Sequence, residues 1–273
     1  MGATTLTVDG ERIYVVDEGA DHPDRTPILL IHGFPGSSLS WHRVTPLLVR
    51  SRHVIAPDLV GLGQSERRPR GPLTLSAQAQ RMARLLGQLG ITQADVVGIS
   101  LGGGVAQKLV LEHPGRVRRL VLIAAIDTSV RFPTSTSDVL SLAVLLGLLR
   151  VPVYGERLVA RGFRDAFHDP TKLTPELARG YLAPLRQPGT FGTLRRMWSN
   201  LGAEAPADLG AINVPTLVIG AAHDLPERGE PLARRIPGAQ FVEIENAGHA
   251  VTFEQPEAIA NAIARFLGSE TVE

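Results

Sequence analysis

Cysteine is absent from the 273-residue chain, which excludes disulfide bonds and thiolate metal sites. Long apolar runs are also scarce. The longest, VLSLAVLLGLL at residues 139–149, is well short of the roughly 20 residues that a membrane-spanning helix needs. The first residues, MGATTLTVDG, contain no apolar segment of the kind that a secretory signal carries. We therefore expect a cytoplasmic protein without a membrane span.

The chain also has little net charge and few signs of a cofactor. Its formal charge is +1, with basic and acidic residues mixed along the chain, which argues against nucleic acid as the main partner. The histidines show no metal-ligand spacing. A glycine-rich stretch, PDLVGLGQSE at residues 57–66, lacks the third spaced glycine and the lysine of phosphate-binding loops. The sequence predicts no metal and no cofactor, and it leaves the oligomeric state open.

What the chain does contain is an alternation of short apolar runs with longer amphipathic ones. Two runs flank the turn DGE and indicate a hairpin, and six more are apolar almost throughout, as in strands buried on both faces of a parallel sheet. The predicted strands are TLTV, RIYVV, PILLIHG, HVIAPD, DVVGIS, VRRLVLIAA, PTLVIGA and AQFVEIE. Amphipathic segments between them favour an α/β fold with a mostly parallel eight-stranded sheet flanked by helices.

The alternation stops after the sixth predicted strand. Residues 127–205 contain no strand candidate, but they hold several helical pieces separated by prolines. A segment of that length is too long for a simple loop in a compact fold. We therefore expect a helical cap at 127–205, inserted into a core formed by residues 1–126 and 206–273.

The candidate nucleophile is Ser100. It lies in Gly98-Ile99-Ser100-Leu101-Gly102, which fits G-x-S-x-G and stands between a predicted strand and a predicted helix, the context that this motif requires. Small residues leave room for a strained turn that raises the serine hydroxyl above the sheet. The five residues alone also allow a tight turn with an incidental serine, so the assignment depends on the partners elsewhere in the chain.

Two backbone N–H groups are candidates for an oxyanion hole. The stretch IHGFPGSS follows the third predicted strand, and an H-G-x motif there brings an N–H toward the developing oxyanion. We assign the N–H groups of Phe34 and Leu101 to this role. His32 itself is expected to be structural and to hold the loop in place.

The candidate base is His249, and the candidate acid is Asp224. His249 lies in the small-residue loop of ENAGHAVTFEQPE after the last strand, and imidazole suits proton transfer at neutral pH. Asp224 follows the seventh strand in LVIGAAHDLPE and would orient the histidine. Asp127, after the sixth strand, is an alternative acid whose simpler role is local hydrogen bonding.

Five motifs occur in an order and near a spacing that resemble the α/β-hydrolase superfamily, in its capped, esterase-like branch: HGFPGS, PDLVGLGQS, GISLGG, GAAHD and NAGHAVTFEQPE. The first two also resemble epoxide hydrolases and haloalkane dehalogenases, but those families use an aspartate nucleophile where this chain has Ser100. Tyr154 and Tyr181 are similar to the tyrosine pair of epoxide hydrolases, a chemistry that Ser100 argues against.

These residues predict a serine hydrolase that cleaves a small, apolar carboxylic ester through an acyl-enzyme. The same triad would also serve a carbon–carbon bond or lactone hydrolase, or a slow ligand-binding or biosynthetic protein of this fold. Trp198, Tyr154 and Leu145, all within the expected cap, are candidate pocket residues.

Overall fold

A computed structural model describes residues 2–130, 161 and 164–268 of the chain. Its single sheet has eight strands in the order β1-β2-β4-β3-β5-β6-β7-β8, which confirms the predicted α/β-hydrolase sheet. The strands are β1 Ala3–Val8, β2 Glu11–Glu18, β3 Ile28–Ile31, β4 Val54–Pro57, β5 Ala94–Ile99, β6 Val117–Ile123, β7 Thr216–Ala221 and β8 Gln240–Ile244.

The first two strands form the predicted hairpin, and the others run parallel. β1 pairs with β2 and β2 with β4 in antiparallel register, while every pairing from β3 to β8 is parallel. The hairpin turns at Asp9 and Gly10, which both have positive φ, as the turns that match strand twist require. Parallel strands bring their carboxyl ends to one edge of the sheet, which is where ligand sites form in open α/β sheets.

Helices cover both faces of this sheet. Numbered within the described residues, they are α1 Thr45–Leu48, α2 Leu75–Gln88, α3 Leu101–Glu112, α4 Pro175–Leu185, α5 Thr190–Ala203, α6 Glu230–Ala233, α7 Val251–Glu254 and α8 Pro256–Leu267. None of the described helices is long and apolar enough to cross a membrane.

The alternation of side chains along each strand divides the interior into two cores. Leu29 and Ile31 of β3 belong to one buried cluster together with residues of α2, α3 and α6, whereas Ile28 and Leu30 of the same strand belong to another with residues of α1 and α8. All four side chains are fully buried. A strand buried on both faces must be apolar at every position, which is why the central strands are continuous apolar runs.

The two helices α4 and α5 lie between β6 and β7, in the segment for which we expect a cap. Prolines and glycines interrupt this segment, with Pro175 at the start of α4 and Gly189 directly before α5. Helices inserted after β6 are compatible with the fold, and the exact boundaries at 127 and 205 stay a prediction. Leu145 and Tyr154 lie outside the described residues.

Candidate active site

Ser100 occupies a sharp turn between β5 and α3. Its backbone has φ 54° and ψ −119°, a conformation that a residue with a side chain adopts only when its surroundings impose it. Here, hydrogen bonds of the Ser100 backbone impose this conformation. The Ser100 N–H donates to the Ile123 carbonyl, and the Ser100 carbonyl accepts from the N–H groups of Gly103 and Ile126. The turn therefore presents the hydroxyl at the carboxyl edge of the sheet.

The glycines around Ser100 are there because backbone atoms approach too closely for a side chain. A Cβ added to Gly98 would lie 2.4 Å from the Gly102 carbonyl oxygen, and one added to Gly102 would lie 2.2 Å from the Ile31 carbonyl oxygen. A Cβ on Gly103 would lie 2.3 Å from the Cβ of Ala125. The strand, the turn and the helix can pack this tightly only with hydrogen at these three positions.

The structure brings together the three side chains predicted as a triad. The Ser100 hydroxyl oxygen is 3.0 Å from His249 Nε2, and His249 Nδ1 is 2.8 Å from Asp224 Oδ2. These residues come from the loops after β5, β8 and β7. If Nδ1 carries the proton and donates it to Asp224, Nε2 is free to accept the serine proton.

The environment of Asp224 keeps this carboxyl ionised. Burial acts to raise its pKa, but the hydrogen bond and charge of His249, the Leu225 N–H and the nearby Arg228 together outweigh burial, so the pKa lies below its ordinary value. An ionised carboxylate can accept the Nδ1 proton and stabilise an imidazolium.

Asp127, the alternative acid, is directed elsewhere. Its Oδ1 accepts hydrogen bonds from the N–H and hydroxyl of Ser129 at 2.8 and 2.6 Å. Its Oδ2 forms an ion pair with Arg235 at 2.9 Å. Both carboxylate oxygens therefore have local partners, which fits the simpler of its two predicted roles.

The two candidate oxyanion N–H groups lie beside the serine. Leu101 begins α3, so its N–H has no acceptor within the helix. Phe34 follows Gly33, where an added Cβ would lie 3.0 Å from the Ser100 Cβ. Within the described residues, neither N–H donates to another protein group. Both donors remain available for a ligand oxygen.

His32 holds the loop that carries Phe34. Its Nε2 accepts the Leu59 N–H at 2.9 Å, which requires Nδ1 to carry the proton and donate it to the Gly33 carbonyl at 2.8 Å. Burial lowers the pKa of His32, which favours this neutral form. The ring therefore connects two loops at the carboxyl edge of the sheet.

A cavity of about 210 Å³ opens beside Ser100 and His249. Its described wall is mostly apolar and includes Phe34, Ile99 and Phe253. Besides Ser100, the lining includes three residues with hydroxyl groups, Ser40, Tyr181 and Thr252, and the hydroxyl oxygens of Ser40 and Tyr181 are 2.9 Å apart. No described wall residue is an arginine, a lysine or a carboxylate.

Trp198, the described member of the three predicted pocket residues, lies behind this wall. Its ring centroid is 5.9 Å from that of Phe34, and it is not among the described residues that line the cavity. The predicted contributions of Tyr154 and Leu145 fall outside the described residues.

Sequence reasoning missed Arg228. Its Nη1 is 2.8 Å from His249 Nδ1 and 3.4 Å from Asp224 Oδ1. Nδ1 cannot donate to Asp224 and accept from Arg228 at the same time, so the two contacts belong to different tautomers of the imidazole. The only sequence signal was its position four residues after Asp224, in a turn that also suits a surface arginine.

Sequence reasoning also missed the role of Glu254, although it lies in the His249 motif. Its buried carboxylate accepts the N–H of Gly248 at 2.7 Å, that of Asp169 at 2.8 Å and that of His168 at 3.2 Å. The Ala250 N–H also donates to the Ala166 carbonyl. The loop that carries His249 is thereby bonded to a segment from between β6 and β7.

Comparisons with known proteins agree with this architecture. A family model described as alpha/beta hydrolase fold matches residues 26–256. A 2-hydroxymuconate semialdehyde hydrolase from Pseudomonas putida is 34% identical, covering 90% of this chain and 89% of that protein. A protein of the same name from Pseudomonas sp. strain CF600 is 32% identical, covering 94% and 91%.

Among solved structures, a thermophilic esterase from Thermogutta terrifontis superposes with a TM-score of 0.79 at 26% identity, covering 98% of both chains. The family model spans most of the chain and includes the loops of the three residues predicted as a triad. The chain belongs to the α/β-hydrolase family and is a hydrolase.

Proposed function

We propose that this hydrolase cleaves a small, uncharged carboxylic ester through an acyl-enzyme, with Ser100 as nucleophile, His249 as base and Asp224 as its orienting acid. The observation that carries the proposal is the 3.0 Å contact between the Ser100 hydroxyl and His249 Nε2, with Asp224 2.8 Å behind the imidazole. A serine hydroxyl is a weak nucleophile until a base in contact with it accepts its proton.

In the first half-reaction, the Ser100 oxygen attacks the ester carbonyl as its proton moves to His249 Nε2. The tetrahedral oxyanion then collapses, the bond to the alcohol oxygen breaks, and the imidazolium protonates the leaving alcohol. In the second half-reaction, a water molecule gives its proton to Nε2 and attacks the acyl carbonyl. The bond between the acyl carbon and the Ser100 oxygen then breaks, the imidazolium returns its proton to that oxygen, and the carboxylic acid is released.

The N–H groups of Phe34 and Leu101 would stabilise the oxyanion in both half-reactions. The free N–H groups at the N-terminus of α3, directly after Ser100, add partial positive charge beside the oxyanion. Removing one such donor typically costs about 3–4 kcal/mol of transition-state stabilisation. Both donors belong to the backbone, so their effect depends on the loop geometry that His32 and the elbow glycines maintain.

The wall of the cavity favours an uncharged substrate. Burying a carboxylate without a cation or several hydrogen-bond donors is costly, and the described wall offers mainly apolar side chains. Ala166 and Tyr181, which line the cavity, come from the segment between β6 and β7. We therefore propose that residues 127–205 act as a cap that covers the substrate site.

Hydrolysis of a carbon–carbon bond next to a ketone is the second candidate. It is supported by the 34% and 32% identity with two 2-hydroxymuconate semialdehyde hydrolases. The same serine would attack the ketone carbonyl, but the departing carbon, rather than an alcohol oxygen, would have to receive the proton. A substrate of that kind carries a carboxylate, for which the described wall has no cation.

A matched substrate panel separates the two candidates. Wild type and Ser100→Ala would be assayed with p-nitrophenyl esters from acetate to decanoate and with a 2-hydroxy-6-oxo-dienoate. We expect medium-chain esters to be hydrolysed faster than acetate, and we expect kcat to fall by on the order of 10⁴ in Ser100→Ala. Turnover confined to the dienoate would favour the second candidate, and thermal stabilisation without turnover would favour a ligand-binding role.

Covalent labelling tests the nucleophile without any assumption about the substrate. A fluorophosphonate probe should label wild type and leave Ser100→Ala unlabelled. Labelling that persists in the variant would assign the nucleophile to another residue, and the acyl-enzyme proposal would then fail together with the triad.

A further inference from the structure

One wall of the cavity is a tight turn that leads from Ser100 to Tyr181. Gly33 lies against Ser100, and the Gly36 N–H donates to the Gly33 carbonyl at 2.9 Å, which closes a four-residue turn. A Cβ on Gly36 would lie 3.5 Å from the Tyr181 ring and 3.0 Å from the Ser40 hydroxyl oxygen. The ends of such a turn are less than about 7 Å apart. Ser100 and the Tyr181 ring therefore lie at the two ends of this turn, and both line the same cavity.

Tyr181 closes the cavity from the side of α4. Its ring packs edge-on against Phe253, with centroids 5.7 Å apart, and its hydroxyl is hydrogen bonded to Ser40 at 2.9 Å. Burial raises its pKa well above the ordinary value, so the hydroxyl stays neutral at working pH. The side chain is thus held by an aromatic contact on one side and by a hydroxyl pair at its end.

The helix that carries Tyr181 is itself fixed to the loop on which Ser40 lies. A Cβ on Gly180 would lie 2.7 Å from a methyl carbon of Leu39, so α4 and this loop are in close contact. Leu177, one turn earlier on α4, belongs to the same buried cluster as Tyr181 and has the same 7% exposure. Unlike Tyr181, Leu177 is not among the described residues that line the cavity.

We propose that Tyr181, held by Ser40 and Phe253, is the end wall of the substrate pocket and limits the length of the apolar chain that the enzyme accepts. The inference rests on the proposed nucleophile, because it places the reacting carbonyl at Ser100. A straight chain that extends from this carbonyl toward Tyr181 meets an aromatic ring that its contact with Phe253 keeps in place, with or without the hydroxyl pair. Shortening this side chain removes the obstacle and leaves an apolar space behind it.

The test is a chain-length profile for wild type, Tyr181→Ala, Tyr181→Leu, Tyr181→Phe and the control Leu177→Ala. Two series of esters would be used: p-nitrophenyl acylates from acetate to laurate, and acetates of straight-chain alcohols from ethyl to dodecyl. Each methylene in an apolar pocket is worth about tenfold or more in discrimination. We expect Tyr181→Ala and Tyr181→Leu to raise kcat/KM for long chains relative to short ones by at least about tenfold, in one of the two series.

Two variants should keep the wild-type profile. Tyr181→Phe retains the ring, and Leu177→Ala loses comparable apolar packing on the same helix without changing the wall. The same series, measured as thermal stabilisation of the variants in a Ser100→Ala background, reports binding without turnover. It keeps the test independent of catalytic rate.

An unchanged length preference in folded Tyr181→Leu or Tyr181→Ala, in both series and in the binding measurement, would overturn the inference. An equal shift in Leu177→Ala would also overturn it, because loosened packing would then explain the effect. If Ser100→Ala keeps full activity, the proposed nucleophile fails instead, and the two failures are therefore distinguishable.

Discussion

At the scale of single residues, the two aspartates that follow neighbouring strands have different partners. Asp224 contacts His249 at 2.8 Å, whereas Asp127 is occupied by Ser129 and Arg235. Both lie at the carboxyl edge of the sheet, so their position in the fold does not distinguish them. The difference lies in where each side chain finds a partner of opposite charge or a hydrogen-bond donor.

Replacing each aspartate by asparagine keeps its shape and removes its charge. We expect Asp224→Asn to lower kcat by on the order of 10⁴, because the imidazole loses the carboxylate that sets its tautomer. Asp127→Asn should lower kcat by less than about tenfold, since it breaks only the ion pair with Arg235, and the amide oxygen can still accept the hydrogen bonds from Ser129. Steady-state kinetics on the two folded variants measures both kcat values. A larger loss in Asp127→Asn than in Asp224→Asn would make Asp127 the acid.

At the scale of elements, the packing of α3 against β5 and β3 depends on Gly98 and Gly102, whose nearest neighbours are backbone atoms. Backbone cannot rotate away as a side chain can. We expect Gly102→Ala to lower the free energy of unfolding by at least about 2 kcal/mol, because its Cβ would lie 2.2 Å from the Ile31 carbonyl oxygen. Denaturant unfolding measures this loss.

Gly115→Ala is the matched control for this prediction. A Cβ at Gly115 has no neighbour within 4 Å, and its φ is not positive. Its stability should be unchanged or slightly raised, since alanine also reduces the freedom of the unfolded chain. Equal effects of the two substitutions would mean that the elbow tolerates a side chain.

Glu254 connects two elements that the sequence places far apart. Its carboxylate accepts N–H groups from both the His249 loop and residues 168–169, so both oxygens must be acceptors. In Glu254→Gln, the amide NH₂ would face one of these donors. We expect kcat to fall at least about tenfold through displacement of the base, and the stability to fall by about 2 kcal/mol.

Kinetics and thermal unfolding of Glu254→Gln would be compared with those of Glu257→Gln. Glu257 is exposed at the start of α8, and the loss of its charge should leave both quantities nearly unchanged. Full activity in folded Glu254→Gln would show that the position of His249 does not depend on this carboxylate.

At the scale of the whole molecule, the two ends of the sheet serve different purposes. The carboxyl end holds the proposed triad. The amino end of β5 carries Asp95, which is fully buried and paired with Arg118 at 2.5 and 2.8 Å and with Arg52 at 3.3 Å. Arg52 also donates to the Leu267 carbonyl. This network ties the end of α8 to the sheet.

We expect Asp95→Asn to lower the free energy of unfolding by about 3–5 kcal/mol, because the buried Arg52 would lose its ion pair with Asp95. The kcat of the folded variant should change little, since the network lies at the opposite end of β5 from Ser100. Chemical denaturation and kinetics measure the two quantities. Asp9→Asn, which breaks an exposed pair with Arg84, should cost at most about 1 kcal/mol.

The order of the elements and the proximity of Ser100, Asp224 and His249 could be predicted from the sequence, because both follow from patterns within short segments of the chain. Strand–helix alternation and apolar strands predict a parallel sheet, and the carboxyl ends of such strands meet at one edge. Ser100, Asp224 and His249 each follow a strand, so the same topology that predicts the fold also predicts that their loops are neighbours. The glycines at 98 and 102 were informative because close backbone packing excludes every side chain.

The contacts of Arg228, Glu254 and Tyr181 were decided only by the tertiary structure. Each joins residues that are distant in sequence or unremarkable in pattern: Tyr181 contacts Ser40 from another element, and Glu254 contacts residues 168–169. From the neighbouring sequence alone, Arg228 cannot be distinguished from a surface arginine, Glu254 from another glutamate on a helix, or Tyr181 from another tyrosine of the expected cap. Their roles depend on the direction of the side chain and on which loop packs against it, and both are set by the packing of the whole molecule rather than by local sequence.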